Sequence, residues 1–371
     1  MIDHCYAFAE AAKAQGRPIV GIMCEFTPRE IILAAGAVPV CLCGGASATI
    51  PSAEQFLPAN LCPLIKSTFG YHVTGTNPFL NWADLVVAET TCDGKKKMFE
   101  LMGATRPMYV LELPHKADQA DALEHWTQEV RKFKEHVEQL FHTRITEDKL
   151  RDAARLMNRE RQLRRQLADL MTRDPPPLTG RQLIVFKSII SGIEADLLQY
   201  GRAIKLFEGG NGSPSSGKGK IRVLLTGVPL VHGAERVLEL IEDAGSVVVA
   251  MENCTGLKPI LDDVDLDDPD LLGAIARKYF HLPCSIMTPN TRRFEVLRSL
   301  AAKFRPHCVI ELVWQACLTY DIESFHVRQL AGNELRLPYL KITTDYSPSD
   351  SARISARIEA LFETIRARQS V

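Results

Sequence analysis

The chain has 371 residues, of which 46% are hydrophobic and 24% are charged, and its 44 Lys and Arg are balanced by 45 Asp and Glu. This length exceeds what one ordinary hydrophobic core needs, so at least two domains are expected. A formal net charge of −1 gives no electrostatic footprint for nucleic acid or for an acidic membrane surface. The expected partners are therefore proteins and small molecules.

Two stretches bear on where the protein is found. The N-terminus, M-I-D-H-C-Y-A-F-A-E-A-A-K, lacks the basic flank and apolar core of a secretory signal, so a cytoplasmic location is predicted. Residues 31–53 carry no charge and are long enough to suggest a membrane span. Their Gly, Pro, Ser and Thr residues fit a succession of helix, turn, strand and loop much better, and no membrane span is predicted.

Residues 1–115 alternate between helix and strand. A short amphipathic helix at 1–16 is followed by apolar strands predicted at 19–23, 38–42, 85–88 and 108–113. Further helices are predicted to begin near Pro28, Leu64 and Asp93. This alternation is typical of a parallel sheet with helices on both faces, so the segment is predicted to be an N-terminal α/β domain.

Residues 116–208 differ in their sequence pattern from the residues before them, and they are predicted to be a helical segment inserted between two domains. They form long charged helical stretches, interrupted by three prolines at 175–177. Apolar residues of helical spacing form only a thin stripe, on which Arg161 and Arg164 also fall. The charges are interpreted as a solvated face rather than a binding patch.

Residues 209–220, G-G-N-G-S-P-S-S-G-K-G-K, are predicted to be a flexible linker. Gly212, Gly217 and Lys218 have the spacing of a phosphate-binding loop. However, Gly219 replaces the Ser or Thr that would meet magnesium, and the stretch precedes a strand instead of following one. This chain alone is therefore not expected to bind a nucleotide.

Residues 221–371 are predicted to form a C-terminal α/β domain that repeats the first. Strands are predicted at 221–226, 247–251 and 309–313, and helices at 234–244, 271–280, 292–304 and 349–368. Each half places one Cys after a buried strand and another Cys beside Pro before a helix. The sequence thus predicts a duplicated architecture with two facing sheet ends.

Ten cysteines are an unusual number for a chain predicted to be cytoplasmic. Disulfides are rare in that compartment, so the thiols favour metal binding or redox chemistry. No Cys-x-x-Cys pair is present, which argues against a zinc ribbon or a ferredoxin-type run. Six thiols lie at predicted strand ends or helix starts, where they are able to converge on one cleft: Cys24, Cys62, Cys92, Cys254, Cys284 and Cys317. Packing in the protein core is the alternative role for these six.

The other four cysteines are not candidate ligands. Cys41, Cys43 and Cys308 lie in apolar strands and are interpreted as core residues, while Cys5 is given no role.

Cys92 lies in the most informative stretch, 84–100, D-L-V-V-A-E-T-T-C-D-G-K-K-K-M-F-E. It stands between the end of a buried strand and the start of a helix, where open α/β sheets bind ligands. The helix dipole and Lys95, Lys96 and Lys97 would stabilise a thiolate or an anionic cluster. The alternatives are a small buried hydrophobic residue and three solvated lysines.

Five further side chains are candidates for moving protons. Glu89 and Glu311 lie near predicted strand ends, and His72, His232 and His281 titrate in a useful range. Strand-end carboxylates also act as helix caps, and a lone His is commonly structural.

Several motifs together carry a resemblance to a known family. The segments G-I-M-C-E-F-T-P-R-E, L-C-P-L-I-K-S, E-T-T-C-D-G-K-K-K-M and V-V-A-M-E-N-C-T-G resemble the 2-hydroxyacyl-CoA dehydratase and benzoyl-CoA reductase subunit family. The similarity runs over nearly the whole chain. Within that family, the additional Cys24, Cys254 and Cys284 make the sequence similar to the double-cubane cluster proteins.

The resemblance implies two Rossmann-like parallel-sheet domains with a cluster in the cleft between them, usually in a homodimer. It implies that a first trio, Cys62, Cys92 and Cys317, holds one 4Fe-4S cubane. A second trio, Cys24, Cys254 and Cys284, would hold another cubane, bridged by sulfide to the first in a double-cubane 8Fe-9S cluster. The resemblance also implies a separate ATP-hydrolysing iron-sulfur activator as electron donor, and low-potential reduction of small molecules under anaerobic conditions.

Three functions are consistent with these features. The first is an iron-sulfur oxidoreductase with a double-cubane cluster, coupled to ATP through its partner. The second is a 2-hydroxyacyl-CoA dehydratase subunit, a lyase, with one 4Fe-4S cluster on the first trio. The third is a non-catalytic electron-transfer or scaffold protein. The second trio favours the first function, because a dehydratase subunit has no evident use for it.

Overall fold

A computed structural model of the chain describes residues 2–209 and 219–369. It contains two four-stranded parallel sheets surrounded by helices, which confirms the predicted α/β class with two Rossmann-like sheets. The strands are β1 Ile19–Ile22, β2 Val38–Cys41, β3 Leu85–Glu89, β4 Met108–Leu111, β5 Ile221–Gly227, β6 Ser246–Glu252, β7 Cys308–Trp314 and β8 Tyr339–Thr344. The helices are α1 Ile2–Ala14, α2 Arg29–Ala34, α3 Ile50–Ala53, α4 Pro63–Thr74, α5 Pro78–Trp82, α6 Asp93–Gly103, α7 Ala122–Leu140, α8 Glu147–Asp169, α9 Gly180–Val185, α10 Glu194–Glu208, α11 Arg236–Asp243, α12 Leu271–Phe280, α13 Thr291–Phe304, α14 Leu318–Gln329 and α15 Ser351–Gln369.

The two sheets have the same topology. Their strand orders are β2-β1-β3-β4 and β6-β5-β7-β8, and every neighbouring pair is parallel. The central strands read as continuous apolar runs because helices cover both faces of each sheet. The predicted duplication is confirmed. Since parallel strands end at one edge, residues that follow the strands of a sheet gather at that edge.

Two elements of the second half were not predicted from the sequence. The edge strand β8 pairs in parallel with β7 and is only partly buried, so its residues lack the uniformly apolar pattern of a central strand. Helix α14 begins directly after Cys317 and leaves much of one face exposed, which weakens its apolar periodicity. Helix α14 lies next to the region in which the candidate thiols gather, since Cys317 is its N-cap residue.

The helices between residues 116 and 208 pack against both halves of the chain. Trp126 and Val130 of α7 share a hydrophobic cluster with Val20 of β1 and Ile275 of α12. The indole of Trp126 donates a hydrogen bond to the carbonyl of Ala276 at 3.0 Å. This helical segment therefore joins the first sheet to α12 of the second half through a common core.

The interpretation of the charges in this segment as a solvated face is wrong for Arg161. Its side chain is 2% exposed, and its guanidinium donates to Glu30 at 2.5 Å and to the hydroxyl of Tyr279 at 3.1 Å. Glu30 lies on α2 and Tyr279 on α12. A buried Arg is tolerated here because two distant elements supply its partners, which the local pattern does not show.

Residues 210–218 of the predicted linker 209–220, which include Gly212, Gly217 and Lys218, lie outside the described residues. Residues 31–53 contain the end of α2, then β2 and α3, as the prediction against a membrane span requires. Within the two described ranges, no helix has both the length and the apolar character needed to cross a membrane.

Candidate metal centre

A cavity of about 640 Å³ lies where the carboxyl ends of the two sheets face each other. Its wall is built from residues that follow β1, β3, β5, β6 and β7. All six predicted ligands line it: Cys24, Cys62, Cys92, Cys254, Cys284 and Cys317. The structure thus brings together thiols that are separated by up to 293 positions in the sequence, since 317 minus 24 is 293. Their role as ligands stays a prediction.

The thiols of the first trio share one local structure. Cys62, Cys92 and Cys317 are the N-cap residues of α4, α6 and α14, respectively. Each therefore lies at the positive end of a helix dipole, which favours a thiolate over a thiol. The prediction that Cys92 stands between a strand end and a helix start is confirmed.

The thiols of the second trio lie in loops instead. Cys24 follows β1, Cys254 follows β6, and Cys284 lies between α12 and α13. A thiolate in these loops has no helix N-terminus of its own to stabilise it. It depends more strongly on nearby cations and on metal.

The electrostatic interactions among the thiols follow the same grouping. The Cys317 thiol donates a hydrogen bond to Cys62, which lowers the pKa of Cys62 and raises that of Cys317. Burial raises the pKa of Cys24, and the neighbouring Cys284 and Cys254 raise it further. Burial likewise raises the pKa of Cys254 to about 12. In the absence of metal most of these thiols hold their protons, so metal binding must release protons.

Donor type and space both suit an iron-sulfur cluster. Thiolates are the preferred ligands of such clusters, and donors from distant loops are suitable when the fold brings them together. In the part of the chain that the structure describes, no three His, Cys, Asp or Glu side chains stand close enough to hold a single ion. A cluster of several irons binds each thiolate through a different iron and so accepts a wider spacing. The residues present therefore fit a cluster.

The other four cysteines divide into two pairs. Cys5 and Cys308 are 0% exposed and belong to the hydrophobic core. Cys41 and Cys43 pack against the core but also line the cavity, so their interpretation as core residues is only partly right. The reason is that β2 ends at Cys41, which leaves Cys43 beyond the strand.

Tyr320 contributes a polar group to the cavity wall. Its hydroxyl accepts a hydrogen bond from the ammonium of Lys258 at 2.7 Å, and that ammonium lies 3.3 Å from Glu252. Among the described residues the hydroxyl proton of Tyr320 has no acceptor. Because a hydroxyl both donates and accepts, this proton remains available to a molecule in the cavity. No pattern in the sequence pointed to Tyr320, since α14 was not predicted.

Behind Tyr320 lies a buried ionic cluster centred on Arg293. Its guanidinium, 0% exposed, is 3.2 Å from Glu252 and 3.2 Å from Glu311, and it also pairs with Glu323. It lies over the ring of Tyr320 at 4.9 Å from the centroid. A buried guanidinium with three carboxylates holds the surrounding elements in one arrangement.

Asn290 connects this cluster to a candidate ligand. Its side-chain amide donates to Glu323 at 2.7 Å and to the carbonyl of Cys284 at 2.9 Å. The loop that carries Cys284 is therefore fixed by polar contacts to Glu323 of α14 and, through it, to the Arg293 cluster. Asn290 and Arg293 were not predicted to have a role, because they lie in a stretch that resembles an ordinary polar helix start.

The five proton-transfer candidates lie in different surroundings. Glu89 is 0% exposed, and burial raises its pKa to about 7. Glu311 is part of the Arg293 cluster, which indicates a structural role. His232 lines the cavity, whereas His72 and His281 are not among its lining residues.

The fold and this thiol-lined cavity define the class of protein. Residues 24–365 match the family described as 2-hydroxyglutaryl-CoA dehydratase, D-component. The chain belongs to that family, which confirms the predicted resemblance.

Three relatives illustrate the range of proteins that resemble this chain. The chain is 38% identical over 365 residues, covering 95% of this chain and 93% of the relative, to the putative dehydratase subunit YjiM of Escherichia coli (strain K12). It is 21% identical over 361 residues, 94% and 92% of the two chains, to the (R)-phenyllactyl-CoA dehydratase beta subunit of Clostridium sporogenes. It is 25% identical over 163 residues, 43% and 42% of the two chains, to a subunit of the benzoyl-CoA reductase of Thauera aromatica. The relatives are thus subunits of dehydratases and of a reductase.

Proposed function

We propose that this protein is an iron-sulfur oxidoreductase that holds a double-cubane 8Fe-9S cluster on its two trios of cysteines. Electrons at low potential come from a separate ATP-hydrolysing iron-sulfur protein, and the product is a reduced small molecule. The working unit is a homodimer. Within its family, the protein belongs on the reductase side rather than with the dehydratase subunits.

One observation carries the proposal: the second trio lines the same cavity as the first. A single 4Fe-4S cluster on the first trio leaves Cys24, Cys254 and Cys284 without a function. Three partly buried thiols that influence one another and share a cavity with three helix-capping thiols are better explained as ligands of a second, adjoining cubane.

The surroundings of the cavity suit reduction of a small molecule. A cluster bound there supplies electrons at low potential. The apolar side chains of Ile65, Ile189 and Leu230 line the wall and limit the access of water. Reduction consumes protons as well as electrons, and Tyr320 holds a proton on a hydroxyl that Lys258 polarises. These residues would enclose the molecule and supply a proton, and a cluster held by the two trios would supply the electrons.

The metal content tests the proposal. Protein purified and loaded under anaerobic conditions is expected to contain about eight iron atoms per chain, with acid-labile sulfide slightly in excess of iron. Iron and sulfide assays on the same sample measure this directly. About four iron atoms per chain in a fully loaded sample would contradict the double-cubane cluster.

A 2-hydroxyacyl-CoA dehydratase subunit with one 4Fe-4S cluster is the second candidate function. It is favoured by the relative of 38% identity, which is named as a putative dehydratase subunit. This function requires only the first trio. It predicts elimination of water from a 2-hydroxyacyl thioester, which an assay with a companion subunit and activator would detect.

Replacing Tyr320 by Phe is expected to slow substrate reduction by about 10²-fold while the iron content stays unchanged, because general acid catalysis typically contributes that much. The rate is measured with a chemical reductant, so that docking of a partner protein does not enter. Tyr339→Phe is the matched control: its hydroxyl donates to Glu311 at 2.6 Å but does not line the cavity. Equal rates in the two variants would exclude a role of Tyr320 in proton transfer.

A further inference from the structure

The three consecutive lysines of α6 have different surroundings. Lys96 and Lys97 form ion pairs with acidic residues of their own helix, and Lys97 is largely exposed. Lys95 lines the thiol cavity instead, and its ammonium donates to the carbonyl of Met23 at 3.0 Å. The sequence pattern treats the three lysines alike, whereas the structure separates one from the others.

Lys95 lies beside members of both trios. It shares the cavity wall with Cys24 and Cys92, and its ammonium donates to the carbonyl of Met23, the residue before Cys24. Cys24 belongs to the second trio and Cys92 to the first. Within residues 2–209 and 219–369, no carboxylate forms an ion pair with this ammonium. The positive charge of Lys95 therefore lies mainly among thiol groups of the cavity wall.

The hydrogen-bonding capacity of Lys95 is only partly used. An ammonium group has three N–H donors. One donates to Met23, and the others have no acceptor among the residues that the structure describes. A cation without a counterion at a cavity wall is costly unless negative charge is bound there.

We propose that the positive charge of Lys95 compensates the negative charge of both trios. It thereby raises the reduction potential of the cluster that the trios hold. The inference rests on the proposed function. Each thiolate ligand and each added electron makes the site more negative, and a fixed cation nearby stabilises the reduced state more than the oxidised state. Because Lys95 lies on the first turn of the helix that Cys92 caps, its position is fixed relative to a ligand.

The test compares Lys95→Met with Lys97→Met, two changes that remove the same charge from neighbouring positions. Both proteins are loaded with iron anaerobically and titrated with redox mediators while the cluster is followed by EPR. At the potential that reduces half of the unchanged protein, the reduced-to-oxidised ratio of Lys95→Met is expected to fall about tenfold, equivalent to roughly 59 mV for one electron. Lys97→Met should match the unchanged protein, and Lys95→Arg should recover most of the shift.

The other outcomes are distinct. Equal potentials in Lys95→Met and Lys97→Met, with full iron, would overturn the role of Lys95 and leave the proposed function intact. The same holds for an unchanged potential with a raised KM, which would make Lys95 a substrate contact. If Lys95→Met loses its iron, the potential is taken from Lys95→Gln, which keeps a polar group but no charge. Absence of any cluster from the unchanged protein would instead overturn the proposed function.

Discussion

Replacing Cys284 by Ser is expected to reduce the iron content from about eight to about four atoms per chain and to leave a single 4Fe-4S cluster. Oxygen is a poor ligand for the soft iron of such clusters, so a Ser in the second trio should remove one cubane and spare the other. Iron and sulfide assays and the EPR spectrum of the reduced protein measure the change. Cys317→Ser, in the first trio, should affect the cubane that the dehydratase relatives would share.

Cys308→Ser is the matched control for these substitutions. Cys308 is 0% exposed at the start of β7 and does not line the cavity. A hydroxyl in that apolar site should cost about 1–3 kcal/mol of stability and leave iron and spectrum unchanged. If Cys284→Ser also kept its full iron and its spectrum, the double-cubane assignment would be wrong and the one-cluster function would replace it.

Replacing Arg293 by Met is expected to lower the free energy of unfolding by about 3–5 kcal/mol, because three buried carboxylates then lose their shared cation. Chemical denaturation of the metal-free protein gives this value without interference from the cluster. The loop of Cys284 should also loosen, since Asn290 connects it to Glu323 of the same cluster. The variant is therefore expected to retain iron less firmly than the unchanged protein.

The pH dependence of the stability of Arg293→Met tests whether lost charge pairing causes the deficit. Burial already raises the pKa of Glu311 despite the guanidinium beside it, and removal of Arg293 should raise it further. A carboxyl whose pKa is higher in the folded than in the unfolded state stabilises the fold at low pH and loses that contribution as pH rises. The stability deficit should thus be smallest at acidic pH and grow towards neutrality. A stability deficit that does not depend on pH would indicate lost packing instead.

Arg298→Met is the control for Arg293→Met. It removes an exposed ion pair with Glu334 and should change the free energy of unfolding little.

The sequence was sufficient to predict seven of the eight strands and six of the eight thiols that line the cavity. Buried parallel strands are continuous apolar runs, and their carboxyl ends must meet at one edge, so cysteines that follow such strands are placed together by topology alone. Cys24, Cys92 and Cys254 were found in this way. Cys41 and Cys43 were placed less well, because a strand end that differs by one residue decides whether a side chain faces core or cavity.

Local sequence patterns did not predict the polar side chains that surround the cavity. Arg161 and Arg293 lie on helices that also carry exposed charges, and their partners come from other elements of the fold. Tyr320 is recognisable only once α14 is known to start at Cys317. Such side chains are specified by tertiary contacts, and periodicity carries no information about them.

The distribution of the trios between the two halves has a consequence for biosynthesis. The first trio takes Cys62 and Cys92 from the N-terminal half and Cys317 from the C-terminal half, whereas the second trio takes one ligand, Cys24, from the first half and two from the second. On the proposed assignment, the two cubanes together lack a complete ligand set until the ribosome has passed residue 317. Insertion of metal is then a late step of maturation, and it ties the two sheets together because binding free energy is also folding free energy. Iron starvation would leave cells with a full-length chain whose halves lack this link, and such a chain is a better substrate for proteases than the loaded protein.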